Sequence, residues 1–105
     1  MKAATRSPGG EWIWIEHNNS LKAMQNAVGG FIECVPNGIS KAIIYCDEDG
    51  RDKKLPPNFI IQDRFGGKHL ICGPVIMLGP VDGDGNTTSL TQELFDKTVS
   101  QLEYL

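Results

Sequence analysis

Apolar and polar positions alternate in short bursts along this chain, and the bursts are separated by glycine and proline. Glu11-Trp12-Ile13-Trp14-Ile15-Glu16-His17 is built from strong β-formers. Strand side chains alternate, so Trp12 and Trp14 share one face and Ile13 and Ile15 the other. Residues 2–7 form a further short strand, and Pro8-Gly9-Gly10 between them makes the pair a β-hairpin. The period then changes. Leu21, Met24 and Val28 recur at helical spacing behind Asn18-Asn19-Ser20, which supplies an Asn or Ser N-cap, and Gly29-Gly30 ends the helix.

Strands follow at 31–35 and 41–46, and Asp47-Glu48-Asp49-Gly50 reads as a hairpin turn with glycine at positive φ. A polar loop over 51–57 leads to a short strand or helical turn at 58–62. The most apolar segment, His69 to Met77, reads as a central strand broken or bulged at Pro74, which donates no ladder hydrogen bond. Gly79 to Thr88 is a loop. Ser89 to Leu105 carries a stripe of Leu94, Phe95, Thr98, Val99, Leu102 and Leu105, with Ser89 and Gln92 as a capping box, and predicts a C-terminal helix. The expected architecture is one α+β domain over 1–105. It has a mostly antiparallel sheet of five or six strands, a short helix after the first hairpin and a C-terminal amphipathic helix.

Composition narrows the function. The chain has 105 residues, 12 glycines, 6 prolines and a net charge of −3. An acidic protein is poorly suited to duplex nucleic acid or an anionic membrane, both of which attract basic surfaces. The N-terminus has no apolar signal region and no segment is long enough to span a bilayer, so a cytoplasmic protein is expected. Cys34, Cys46 and Cys72 are odd in number and lie in apolar runs, which fits small buried hydrophobes better than disulfides or a zinc site with His17 or His69.

Several segments, in order, resemble a known family. They are Val28-Gly29-Gly30-Phe31-Ile32-Glu33-Cys34-Val35-Pro36, Ile44-Tyr45-Cys46-Asp47-Glu48-Asp49-Gly50, Leu55-Pro56-Pro57-Asn58, Ile71-Cys72-Gly73-Pro74, and Asp82-Gly83-Asp84-Gly85 with Ser89-Leu90-Thr91. Together they resemble a small domain-of-unknown-function family, number three-eight-four-six. The resemblance implies a phage or mobile-element setting, in which small accessory proteins commonly counter host defence, and it carries no activity or catalytic residues.

Three constellations are candidates for chemistry. Arg51, Lys53, Lys54, Arg64, Lys68 and His69 concentrate positive charge on an acidic background, which suits a compact anion. Asn58 and the Gly66-Gly67 backbone add donors for a phosphate. Trp12 and Trp14 offer core, interface or a stacking surface for a base. Asp82, Asp84, Asn86 and Glu93 match oxygen-ligand positions 1, 3, 5 and 12 of a calcium loop, but Thr87 stands where the sharp turn wants glycine. No nucleophile elbow or phosphate-binding loop is present. The expectation is a non-enzymatic, homo-oligomeric binding protein without cofactor that captures a small anionic, nucleotide-like ligand through Arg51, Lys53, Lys54, Asn58, Arg64, Lys68, Trp12 and Trp14. The alternatives are an inhibitor that binds a host defence protein through an edge strand or the acidic loops at 47–49 and 82–84, and a phage structural or regulatory subunit.

Overall fold

In a computed structural model, which describes residues 1–18 and 20–105, the chain folds as α+β with every strand pairing antiparallel. β1 (Lys2–Arg6) and β2 (Ile13–Glu16) form the expected hairpin, with Ala4 opposite Trp14. α1 (Leu21–Val28) is capped by Ser20, whose hydroxyl accepts from the Ala23 amide at 3.0 Å, and is closed by Gly29 at φ 83°. Of the other cap candidates, Asn18 accepts from the Ser20 amide, and Asn19 lies outside the described residues. β3 (Ile32–Cys34), β4 (Ile43–Asp47), β5 (Pro57–Gln62), β6 (Lys68–Cys72), β7 (Val75–Leu78), α2 (Gln92–Val99) and β8 (Glu103–Tyr104) follow.

There are two sheets rather than one. Five strands run in the order β2-β1-β7-β4-β3 and three in the order β6-β5-β8. β7 lies at the centre of the larger sheet and explains its own composition. Val75 and Met77 face Ala4, Ile44, Phe59, Ile61 and Ile71, while Ile76 and Leu78 face Met24 and Val28 of α1. A strand covered on both faces must be apolar at every position. The smaller sheet and α2 therefore cover one face of the larger sheet, and α1 the other.

Three expectations are corrected. The run from His69 to Met77 is two strands in different sheets, because Gly73 at φ 88° and Pro74 turn the chain out of one ladder and into the other. Ser89 to Leu105 is not one helix. Its hydroxyl at Ser89 accepts from the Lys2 amide at 2.9 Å, so Thr91 caps α2 instead, and α2 stops at Val99. The chain then extends so that Glu103 and Tyr104 pair with Ile60 and Phe59, using a β5 edge that would otherwise be unpaired. Asp47 to Gly50 does not close a hairpin, since β4 lies between β3 and β7. The positive φ in this loop belongs to Lys54, at 56°. Gly50 is required for a different reason: a Cβ there would meet the Cys72 carbonyl oxygen at 2.7 Å. Among the described residues no helix is long and apolar enough to cross a membrane.

Candidate functional site

The two sheets diverge at one side, between β3 and the end of β4 on the larger sheet and β6 on the smaller. A groove of about 460 Å³ opens there. Its floor is apolar and buried: Val35, Cys46, Ile71 and Cys72. Arg51, Lys68 and His69 also line it, together with Glu33 and Glu48. The close approach at Gly50 places the loop that carries Arg51 against the end of β6, so two separate segments contribute cations to one opening.

His69 is held by Asp63, with Nε2 and Oδ2 2.8 Å apart. That hydrogen bond, and then the Phe65 and Gly67 amides on Oδ1, hold the Asp63 carboxyl below the usual carboxylate range. The three thiols also come together at the groove, which no local pattern announced. Cys46 is pushed up to about 11, by burial first and then by Glu33, Asp47 and the neighbouring thiols. Cys34 is raised by burial and then Glu33. Thiols held protonated in this way are poor nucleophiles. Cys46 and Cys72 are buried as expected, whereas Cys34 is exposed.

The remaining sequence candidates lie elsewhere. Lys53 donates to Asp47 at 2.7 Å and faces an adjacent depression beside Phe31. Lys54 is exposed in the loop. Arg64 sits in the turn between β5 and β6, its guanidinium 6.0 Å from the Phe65 ring centre. Asn58 is fully buried, with its amide committed to the Arg6 and Gly73 carbonyls. Trp12 and Trp14 pack on Phe95 with ring centres 5.8 and 5.1 Å away. They belong to the β2 edge, four strand spacings or about 19 Å from β3. The tryptophans and the groove cations Arg51 and Lys68 are therefore not brought into one site. In the loop at 82–86, the Asp82 carboxylate accepts from the Asp84 and Asn86 amides at 2.9 and 3.0 Å, and Glu93 lies in the first turn of α2, where a carboxylate complements the helix dipole. His17 is buried with Nε2 unpartnered, and burial, then the Met1 ammonium, hold its pKa below the ordinary value. Among the described residues no group of three His, Cys, Asp or Glu side chains is arranged to hold a metal ion.

Asp47 anchors the wall of the groove. Burial alone would raise its pKa, but the Lys53 hydrogen bond, the Asp49 amide and the Lys53 charge outweigh burial and lower it. A carboxyl with a lowered folded pKa stabilises the fold above its unfolded pKa, and loses that contribution as the pH falls through the folded value. Lys53→Met is therefore expected to lower the melting temperature most at neutral pH. The gap to the parent should narrow as the pH falls below about 4 and close only after it has passed through the lowered folded pKa of Asp47, where the carboxyl is protonated in both proteins. Thermal melts across that range check this, and a gap that does not change with pH overturns it.

A family model described as "Domain of unknown function (DUF3846)" matches residues 1–103, a span that contains every segment in which the sequence resembles that family. No curated protein and no solved structure matches the chain.

Proposed function

We propose a binding function for this chain, which belongs to the DUF3846 family. It holds a small anionic, nucleotide-like ligand in the groove between the two sheets, without chemistry of its own. The observation that carries this reading is the convergence of Arg51, Lys68 and His69 on one opening with a buried apolar floor. Arginine and lysine hold phosphate oxygens through charge-assisted hydrogen bonds, and the planar guanidinium of Arg51 can offer two donors at once. The floor suits the flat face of a base, and Glu33 and Glu48 can accept from ribose hydroxyls or base amino groups. In the phage or mobile-element setting that the resemblance implies, sequestering such a signal would counter host defence.

Calorimetry with cyclic nucleotides and ADP-ribose species tests this. Arg51→Glu and Lys68→Glu are each expected to weaken binding at least tenfold, the equivalent of about 1.4 kcal/mol. The absence of heat with every such ligand at micromolar protein overturns it. One observation favours a second reading, an inhibitor that binds a protein partner. β3 is an edge strand, and Phe31 beside it is 66 % exposed. That reading predicts a stable protein complex that Phe31→Asp disrupts, with no small-molecule heat.

A further inference from the structure

We propose that Arg6, Trp12 and Tyr104 form a second ligand site, independent of the groove, for a single oxyanion carried on a flat ring. Arg6 lies on the inward face of β1 and is only 7 % exposed. Its Nη1 donates to the Asn58 carbonyl at 3.0 Å and to the Asn58 side-chain oxygen. Asn58 donates back to the Arg6 and Gly73 backbone carbonyls, so the group that holds the guanidinium at Nη1 is itself fixed. Among the described residues no carboxylate lies within ion-pair distance of it. A buried cation without an acid is costly. The Tyr104 ring, 4.5 Å from the guanidinium carbon, offsets only part of that cost.

The unused edge of the guanidinium points to what completes the site. Nε and Nη2 donate to no protein group, yet they are not sealed, since His17 Nε2 is the one sealed side-chain nitrogen or oxygen without a partner among the described residues. They keep access through a shallow cleft of about 330 Å³ that Arg6 lines with Gly10, Glu11, Trp12 and Tyr104. Nε–H and Nη2–H are parallel donors, the pair that takes two oxygens of one carboxylate or phosphate. The aromatic walls are already in place. Trp12 Nε1 donates to the Tyr104 hydroxyl at 3.0 Å, and that hydroxyl donates to the Val99 carbonyl at 3.1 Å. A flat ring can therefore stack without first ordering its walls. Glu11 at the rim disfavours additional negative charge, which selects a ring with one oxyanion over a polyphosphate.

Titration of the full chain with benzoate and with phenyl phosphate, followed on the two tryptophan indole N–H signals by NMR at constant ionic strength, tests the site. Trp14→Phe assigns the signals. The Trp12 signal is expected to move saturably with benzoate, phenyl phosphate or both, and not with phenol. Movement with benzoate alone assigns ring carboxylates, and with phenyl phosphate alone, ring phosphates. Exposed Glu11→Gln leaves the core intact and is expected to tighten binding about threefold. Arg51→Glu and Lys68→Glu should not alter the titration, which separates this site from the groove. A Trp12 shift that phenol reproduces, one that does not saturate, or an affinity indifferent to Glu11→Gln overturns the proposal.

Discussion

Asn58→Ala is expected to destabilise the fold by about 4 kcal/mol, more than its modest size suggests. Removing the side chain strands the Arg6 and Gly73 carbonyls and takes the oxygen acceptor from a buried guanidinium. A buried group left without its partner costs about 1–3 kcal/mol, and more where the group is charged, and here two carbonyls and a guanidinium each lose a partner. Small domains have about 5–15 kcal/mol in total, so the variant keeps at most a thin margin. In urea the midpoint should fall by about 2 M. The two residues act as one unit, since each needs the other to be satisfied. Arg6→Met combined with Asn58→Ala should therefore cost clearly less than the sum of the single substitutions. Additive losses would show that they do not depend on each other, and would also remove the structural support for the Arg6 cleft.

Arg6 shows what was legible in the sequence and what was not. Its strand is legible in residues 2–7, but no motif in Thr5-Arg6-Ser7 marks the arginine. The signal was present in the alternation: Ala4 and Arg6 share a face, and Ala4 is paired with Trp14, so the strand aims a cation at an aromatic core. The central strand Val75–Leu78 was legible because burial on both faces writes itself into every position. The division into two sheets was not, because an apolar run does not say which ladder it joins. At Gly73 the decision rests on a single positive φ and on Pro74. Leu102 misled for a related reason: it is buried in the extended tail at a spacing that also fits a helix. At the groove, Arg51, Lys68 and His69 were legible as a local concentration of charge. Their separation from Asn58 and the tryptophans depends on strand order, which is set by contacts between distant segments.

Gly38→Ala is expected to cost about 3 kcal/mol or more, whereas Gly85→Ala should cost only about 1. Gly85 has φ 82° and open space around the position a Cβ would take, so alanine there meets only the intrinsic penalty of the left-handed region. No positive φ constrains Gly38. Its Cβ would lie 2.3–2.4 Å from the backbone atoms of Asp63 and Arg64, which cannot rotate away as a side-chain tip can. The Gly38 amide donates to the Gln62 carbonyl at 3.0 Å, so this is where the turn after β3 crosses the end of β5. Alanine must push the two sheets apart or break that hydrogen bond. Because Pro36 and β6 line the groove on either side of this crossing, the same displacement should weaken ligand heat in any folded Gly38→Ala protein and leave Gly85→Ala binding unchanged. Urea melts and calorimetry on the two variants in parallel decide it. Equal midpoint shifts would show that the crossing yields and that glycine is needed at 38 only for the turn.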